Sequence, residues 1–540
     1  MFIHCLKIAA WNLMKYKMQT VVSIVGLAIG FTCFALSTMW IRHEITFDTQ
    51  HKDAEQLYLL AFKSPLRSNG YDVGESALVA DLLKNDFPEV KEACAFAYYK
   101  EKIKREGEEL IEVGELMTDT CFMQMFGTTL LEGNLDFLHN DDYVALSEKT
   151  AKQLFGSATA AIGKEIITQY DTKKNVAAVL KDLSHSNFEF GCWGNAARFS
   201  RECKQWYYIS YIICIKLSKE TSADEFQEKL RTSGKRPPKH RDNLLFEDVK
   251  LIPLTAYRYS MYNEERDIKF QYLILFSSVG ALIIFVSLLN FLSLFLTRLR
   301  MRAKEVALRK VCGSSTLSLY GLFFCEYTLL ILLSGLIGMV LLEFSYPTFR
   351  SFTGVEGGIY AESLSYFGGI LILALLVLLP FVHYYTKPRR SLRGEHFVLR
   401  KVSIWVQLLV GVLFIFCLAV LMKQLYYLKN TDFGWERKNL AVLTRMYPRT
   451  SFEEVYSRLN GLPYAEKVLK LCSPIFPQDG YIGLSLKEWE GNTDSLKVSV
   501  QFYYEGPETL EAYGIQMAAG EMLPSVNDGL VLINNRLPKP

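Results

Sequence analysis

The residues of this chain best suited to chemistry lie in RLRMRAKEVALRKVCGSS, residues 298–315, between two long apolar runs. Glu305 is the only acidic residue in the stretch. A cationic cluster of this kind can dock on a partner protein, or it can anchor a loop beside anionic lipid. The cationic residues are Arg298, Arg300, Arg302, Lys304, Arg309 and Lys310.

The spacing within this basic segment predicts a short helix with one charged and one apolar face. Gly313 is expected to end this helix, and Ser314 or Ser315 to cap the next one. The charged face comprises Arg298, Arg302, Glu305 and Arg309. The neighbouring apolar stripe comprises Leu299, Ala303 and Val306.

Five apolar runs of membrane length must position the basic segment. A run of 21 helical residues covers roughly 31 Å, close to the thickness of a bilayer core. Five such runs flanked by charge predict an α-helical membrane protein rather than buried helices of a globular domain. The runs are Val21–Ile41, Tyr272–Leu296, Leu317–Leu342, Leu364–Tyr384 and Val402–Met422.

The short loops predict which way the spans run. The loop at 387–401 has six basic residues, like the basic segment, whereas the loop between the third and fourth spans has only Arg350. The positive-inside rule therefore places the N-terminus and both basic loops in the cytoplasm. The first span lacks an evident cleavage site and is expected to be retained. The predicted divisions are 1–41, 42–270, 271–386, 387–401, 402–422 and 423–540.

The large external segment at 42–270 has the pattern of a mixed α/β domain. DYVALS (142–147) and NVAAVL (175–180) are typical of strands. Ser147 is expected to cap the helix EKTAKQLF, and Gly156 to end it. The polar segment 232–242 is expected to be a loop or linker.

A weak internal repeat connects the two external segments. MFGTTLLEGN (125–134) resembles AYGIQMAAGE (512–521), and YVALSEK (143–149) aligns with LVLINNR (530–536) at the same offset. The chain therefore resembles one unit of four spans followed by the beginning of a second unit. By this symmetry we expect a fragment or a truncated reading frame; the alternative is that the second copy has decayed and the short form is mature. A separate hypothesis is that such a truncated chain has no function of its own.

Other candidate sites are weaker on their spacing. GSATAAIGKE (156–165) has six residues between its two glycines, whereas a phosphate-binding loop has four. Its lysine is followed by Glu165, whereas the lysine of a phosphate-binding loop is followed by Ser or Thr. No catalytic triad, zinc-ligand spacing or cofactor motif is present. The sequence does not decide whether Cys192 and Cys203 form a disulfide. Packing at the base of the external domain is expected for His43, Glu44, Asp48 and His51.

Three stretches resemble bacterial ABC transporter permeases of the MacB/FtsX type. RHEITFDTQHKDAEQLY (42–58) is similar to the opening of the MacB-like periplasmic core domain. FGTTLLEGN with YVALSEKTAKQLFG and IGKEI is similar to its middle. RAKEVALRKVCGSS (302–315), followed by Glu326, resembles the FtsX signature before the third span.

The resemblance implies a multi-pass protein of the inner membrane that is not itself an enzyme. A separate cytoplasmic ATPase would contact the basic segment and drive periplasmic work, such as export of a peptide, lipoprotein or drug. The alternative is an FtsX-like protein that activates a periplasmic cell-wall hydrolase. The residues expected to take part in coupling are Arg298, Arg302, Glu305, Arg309, Lys310 and Gly313, with Glu326 as a permease-motif residue.

The expected partners are the ATPase, the lipid bilayer and a periplasmic or outer-membrane protein, in a dimeric or pseudo-dimeric assembly. The formal net charge of +3 excludes an overall polyelectrolyte, and no nucleic-acid partner is expected. The spans lack a central charge, which argues against an ion-coupled carrier.

Overall fold

The structure is a computed structural model, and it divides the chain into two compact units. One comprises Met1–Ile45 with Ile268–Asn430, and the other comprises Thr46–Asp267 with Thr431–Pro540. The residues that the structure describes are 2–64, 70–200, 204–206, 210–235, 246, 248–260, 270–355, 359–386, 395–431, 440–441, 443, 452–469, 482–486, 498–502 and 507–520.

Long helices make up the first unit, and short helices accompany the strands of the second. In chain order the helices are α1 (Phe2–Lys15), α2 (Lys17–Ile45), α3 (Leu78–Asp86), α4 (Cys121–Phe126), α5 (Glu148–Phe155), α6 (Ala158–Ala161), α7 (Ala196–Arg198), α8 (Ala223–Thr232), α9 (Leu254–Tyr257), α10 (Phe270–Met301), α11 (Ala303–Val311), α12 (Thr316–Thr353), α13 (Ile359–Thr386), α14 (Glu395–Asn430), α15 (Phe452–Asn460) and α16 (Pro507–Ala512).

Four of the described helices are long and apolar enough to cross a membrane. The fourth predicted span lies in α13, whose described apolar stretch is the shorter Glu362–Val377. Membrane-spanning helices are therefore present, but the predicted count of five is not confirmed. The four spans are Lys17–Ile45, Phe270–Leu299, Leu317–Thr353 and Lys401–Asn430.

Small residues let the membrane helices pack closely. A Cβ atom at Gly30 of α2 would clash with Ser287 of α10, and one at Gly338 of α12 would clash with Phe31. The Thr32 hydroxyl donates to the Gly338 carbonyl oxygen at 3.1 Å. Small residues at helix contacts are common in membrane bundles, because close backbone approach increases van der Waals contact. The first, second and third spans therefore form the core of this unit.

A twelve-stranded mixed sheet organises the second unit. Its main order is β12-β1-β11-β4-β5-β10-β7-β9-β6, with β2, β3 and β8 pairing beside it. A separate hairpin joins β13 to β14. The strands are β1 (Leu57–Lys63), β2 (Tyr71–Asp72), β3 (Gly74–Glu75), β4 (Val90–Lys104), β5 (Ile111–Met117), β6 (Leu130–Gly133), β7 (Tyr143–Ser147), β8 (Glu165–Thr168), β9 (Lys173–Leu180), β10 (Cys192–Trp193), β11 (Tyr211–Leu217), β12 (Lys250–Pro253), β13 (Ile482–Leu486) and β14 (Val498–Phe502).

The long strand β4 lies at the centre of this sheet and contributes to two apolar cores. Cys94 and Phe96 belong to one buried cluster, whereas Ala93 and Ala95 belong to another. Alternate side chains of a strand point to opposite faces of the sheet, so β4 separates the two cores. Helices and strands together give the mixed α/β domain that the sequence predicted.

The local predictions around residues 142–180 are confirmed. DYVALS and NVAAVL lie on β7 and β9. The Ser147 hydroxyl accepts a hydrogen bond from the Thr150 amide at 3.2 Å, and α5 ends at Gly156 with a φ of 84°. Most of the predicted polar loop at 232–242 lies outside the described residues.

The proposed repeat has a matching backbone at four glycines. Gly127 and Gly514 have φ angles of 72° and 64°, and Gly133 and Gly520 have φ angles of 88° and 85°. In the first segment both glycines come after the short helix α4, and in the second segment both come after the short helix α16. Positive φ favours glycine, which gives a physical reason for glycine at both members of each pair. The predicted partner segment 530–536 lies outside the described residues.

Candidate functional site

The basic segment forms a short helix between two membrane helices. α10 ends at Met301, Arg302 has a φ of −96° and a ψ of 8°, and α11 then runs from Ala303 to Val311. Gly313 has a φ of 89°, as expected of a helix-ending glycine. The Ser315 hydroxyl accepts a hydrogen bond from the Ser318 amide at 3.2 Å and caps α12. The predicted end and cap are thus confirmed.

Arg298 lies inside the bundle and holds two elements together. Its side chain is buried, and its Nη2 atom donates to the Thr20 hydroxyl at 3.1 Å. That hydroxyl donates in turn to the Leu13 carbonyl oxygen at 2.9 Å. Arg298 therefore connects the end of α10 with the junction of α1 and α2.

Arg302 is the centre of a chain of ion pairs. Its Nη1 atom donates to Glu326 Oε2 at 2.6 Å, and its Nε atom donates to Glu305 Oε2 at 2.9 Å. The Glu305 Oε1 atom also accepts from Arg309 Nη2 at 2.9 Å. The Arg302 guanidinium lies 5.5 Å from the centre of the Phe323 ring, within cation–π range. The chain of ion pairs thus runs from α11 to the interior of α12.

Burial changes along this chain. Arg302 is 4% exposed and Glu326 is 1% exposed, whereas Glu305 and Arg309 are partly exposed. The hydrogen bond from Arg302 lowers the pKa of Glu305, and the charges of Arg302 and Arg309 act in the same direction. Glu305 is therefore held in its ionised form, which favours both arginine contacts.

The outward surface of α11 is more apolar than the sequence suggested. The predicted charged face is not uniformly exposed, because Arg298 and Arg302 are buried. Leu308 is 65% exposed and Val311 is 86% exposed, next to exposed Lys304. Lys310 is half-buried. Leu299 and Val306 of the predicted apolar stripe pack against the bundle core. We refer to Lys304, Leu308 and Val311 as the outer face of α11.

The carboxylate of Asp48 is a structural centre of the sheet domain. The Asp48 side chain is buried, and its carboxylate accepts hydrogen bonds from Ser186 and Asn187. The Asp48 backbone is left-handed, with a φ of 58°. His51 Nε2 lies 3.0 Å from Asp48 Oδ1. This confirms the predicted packing role for Asp48 and His51.

The glycine-containing stretch 156–165 has no phosphate-loop geometry. Ser157 caps the short helix α6, and Glu165 begins strand β8. Both features belong to the framework of the domain.

Two family models match the chain in succession. The MacB-like periplasmic core domain matches residues 20–233, and the FtsX-like permease C-terminal family matches residues 277–392. These matches identify a membrane-embedded ABC permease with a periplasmic domain. The chain is a permease of the MacB/FtsX type. Permeases of this type are membrane components that work with a cytoplasmic ABC ATPase.

Solved structures with low similarity include a domain of a permease protein from Porphyromonas gingivalis, which is 22% identical with a TM-score of 0.32, covering 38% of this chain and 93% of that one. The periplasmic region of MacB from Actinobacillus actinomycetemcomitans is 13% identical with a TM-score of 0.30, covering 39% and 94%. The extracellular domain of the ABC-type transporter YknZ from Gram-positive bacteria is 18% identical with a TM-score of 0.26, covering 33% and 90%. None of the curated proteins matches this chain.

Sequence reasoning named Arg302, Glu305, Arg309 and Glu326, and the structure brings these four together in the chain of ion pairs. Sequence reasoning did not identify Leu308 and Val311 as exposed apolar residues of α11. The signal for them was present, because they occur at i and i+3 on the side of the helix opposite Val306. The contribution of Thr20 could not be read from the sequence.

Proposed function

We propose that this chain is the mechanotransmitting permease of an ABC transporter of the inner membrane. A separate cytoplasmic ATPase would dock on α11, and the permease would convert ATP-driven movement into periplasmic work. Export of a peptide, lipoprotein or drug is the expected work. ATP hydrolysis is assigned to the partner, because the sequence contains no phosphate-binding loop.

The observation that supports this proposal is the buried contact between Arg302 and Glu326. It fastens the start of α11 to α12, while Leu308 and Val311 on the same short helix are exposed. A helix with an apolar outer face suits a groove on a partner protein. A force on the outer face would therefore reach the third span through the Arg302–Glu326 ion pair. Because this pair is buried, water does not compete for its hydrogen bond.

The movement would pass from the docking helices to the external domains. When two ATPases close on ATP, they would bring the attached α11 helices together. The tightly packed α2, α10 and α12 would then move as rigid levers and change the spacing of the periplasmic domains. Work would be done outside the membrane, in keeping with spans that lack a central charge.

Two four-span units are needed for such a movement. The shared glycine conformations at Gly127 and Gly514, and at Gly133 and Gly520, support a doubled architecture. We propose a dimeric or pseudo-dimeric assembly in which a periplasmic or outer-membrane protein receives the cargo.

The direct test is co-purification with the ATPase that this permease uses. The full chain would be solubilised in detergent as wild type and as a Leu308→Ser, Val311→Ser double variant. We expect the ATPase to co-purify with the wild type, and the amount of ATPase recovered with the variant to be lower by at least about tenfold. Burial of one or two apolar side chains at a contact contributes enough binding free energy for such a change. Equal recovery with both proteins would contradict docking through the outer face.

A matched control separates docking from general damage. Leu130 and Leu131 are 39% and 42% exposed on the periplasmic domain. A Leu130→Ser, Leu131→Ser double variant, which also replaces two exposed apolar side chains with serine, should leave ATPase recovery unchanged. An Arg309→Glu variant tests the charged side of α11 in the same assay, because Arg309 is partly exposed whereas Arg302 is buried.

Site-specific crosslinking from the periplasmic domain separates export from the FtsX-like alternative. Capture of an exported molecule would support transport. Capture of a cell-wall hydrolase instead would assign the same lever to enzyme activation.

A further inference from the structure

Two cysteine side chains of the periplasmic domain meet inside its core. Cys94 lies on β4 and is fully buried, whereas Cys121 is the first residue of α4 and is partly exposed. Their Sγ atoms lie 2.7 Å apart. They are separated by 27 positions in sequence, so the fold itself brings them together.

Two hydrogen bonds fix the backbone on which this contact depends. The Thr118 hydroxyl donates to the Ala95 carbonyl oxygen at 2.8 Å, which holds the chain after β5 against β4. The Asp119 carboxylate accepts from the Cys121 amide at 3.0 Å and sets the start of α4. Both thiols are therefore presented to each other by ordered backbone on either side.

The location of this domain makes the proximity chemically consequential. Periplasmic proteins reside in an oxidising compartment where disulfides form and persist, whereas cytosolic thiols are kept reduced. A periplasmic location of the MacB-like domain is sufficient for this chemistry. Docking of an ATPase and the identity of the cargo have no part in it.

We propose that Cys94 and Cys121 form a disulfide bond in the mature periplasmic domain. The oxidant would be the disulfide of a thiol–disulfide oxidoreductase. The Cys121 thiolate attacks one sulfur of that disulfide, forms a mixed disulfide and releases the carrier's first thiolate. Cys94 then loses its proton and attacks the Cys121 sulfur, which releases the second carrier thiolate. Two protein thiols are oxidised, and one carrier disulfide is reduced to two thiols.

The order of these steps follows from accessibility. Cys121 is the partly exposed residue of the pair, whereas Cys94 is fully buried, so Cys121 is the one that an external oxidant can reach first. Burial raises the pKa of Cys94 well above that of a free thiol, so Cys94 reacts poorly with soluble reagents. Its attack on the adjacent mixed disulfide is intramolecular, and proximity compensates for its low fraction of thiolate.

Cys214 is the competing partner. It lies opposite Cys94 in the β4–β11 ladder and is also fully buried. An external oxidant would have to enter the core to begin a Cys94–Cys214 bond, because neither sulfur is exposed. Access therefore favours Cys121, and peptide mapping distinguishes the two pairings.

The bond would join the central strand of the sheet to α4. It would close a loop of roughly 27 residues in the unfolded chain, and reduction should lower the apparent Tm of the full-length protein by about 5–10 °C. An unchanged Tm after complete reduction would overturn this stabilising role.

The decisive experiment is disulfide mapping of the full chain purified from membranes with free thiols blocked at lysis. Tryptic peptides 92–100, 106–149 and 205–216 carry Cys94, Cys121 and Cys214, respectively. We expect 92–100 and 106–149 to be linked before reduction and separate after it. Recovery of both peptides as blocked thiols, or a link between 92–100 and 205–216, would overturn the proposal.

Two substitutions provide an independent check. Cys121→Ser should return Cys94 to the thiol form, detected by labelling after denaturation. Cys312→Ser changes an exposed cysteine next to α11 and should leave the 92–100 to 106–149 link intact. Loss of the link in both variants would contradict the assignment.

Discussion

Arg302 Nη1 lies 2.6 Å from Glu326 Oε2, and both side chains are buried between the basic segment and the third span. A buried ion pair gives little net stability relative to an apolar pair, but removal of one member leaves an uncompensated charge. The contact therefore acts best as a specific connection between α11 and α12.

The first prediction separates this connection from simple stability. Arg302→Met should lower the free energy of unfolding by about 3–5 kcal/mol, because it leaves the buried Glu326 carboxylate without its ion-pair partner. Glu326→Met should have a smaller effect, because Arg302 keeps its contact with Glu305. The double variant should recover most of the loss caused by Arg302→Met. It should not recover stimulation of the partner ATPase, because the charged contact is absent. Thermal unfolding in detergent and ATPase assays measure the two effects.

A double variant that is as unstable as the Arg302→Met variant would contradict the paired arrangement. Full ATPase stimulation in a stable double variant would show that the contact has no part in transmission. Lys100→Met is the control, because Lys100 is an exposed residue of β4 in the sheet domain and has no part in the outer face of α11.

The second prediction concerns pH and Glu305. Its pKa is lowered in the folded state by the hydrogen bond from Arg302. A carboxyl group with a lowered folded pKa adds stability above its unfolded pKa, and that stability is lost as pH falls through the folded pKa. The Tm advantage of wild type over Glu305→Gln should therefore be present at neutral pH and shrink below about pH 4.5.

The Glu305 effect should be small, since this carboxylate is partly exposed and solvent screens its charge. High salt should also reduce the difference at neutral pH. A difference that grows on acidification would show that Glu305 does not stabilise the fold as a carboxylate.

Much of the local structure could be predicted because its causes are local. Ser147 and Gly156 bound α5, and Gly313 and Ser315 separate α11 from α12, each through bonding or φ preferences within a few residues. Hydrophobic length likewise predicted the long membrane helices. These features need no knowledge of distant contacts.

The orientation of the basic segment could not be predicted in the same way. Helical spacing groups Arg298 with Arg302 on one face, but packing decides whether that face is buried or exposed. Burial of Arg302 depends on Glu326, which lies 24 positions away on another helix. The cysteine contact is a similar case. Sequence left Cys192–Cys203 open, yet β4 and α4 bring Cys94 to Cys121, while Cys203 lies outside the described residues.

The third prediction tests the buried carboxylate of Asp48. Asn tolerates its left-handed backbone at a φ of 58°, so Asp48→Asn removes charge with little change in backbone strain. It weakens the bonds from His51, Ser186 and Asn187. We expect a loss of about 1.5–3 kcal/mol in the free energy of unfolding, typical of hydrogen bonds to a charged group.

Asp53→Asn is a matched control for this change. Asp53 also has a left-handed φ, of 60°, but its carboxylate is more exposed and contacts Lys216. Its substitution should have a clearly smaller effect on chemical denaturation of the full chain. Equal effects at the two positions would mean that the Asp48 network does not stabilise the domain.

The fourth prediction uses two glycines one turn apart on α2. A Cβ atom at Gly30 would clash with Ser287, whereas one at Gly26 would lie 3.5 Å from Asn290 Nδ2, an ordinary contact. Gly30→Ala should therefore lower the free energy of unfolding by about 1–3 kcal/mol, as overpacking does, and Gly26→Ala should not. Adding Ser287→Gly should restore part of the loss, because it removes the opposing side chain. Tm measurements in detergent would test this, and equal effects of the two alanine variants would contradict close packing of α2 on α10.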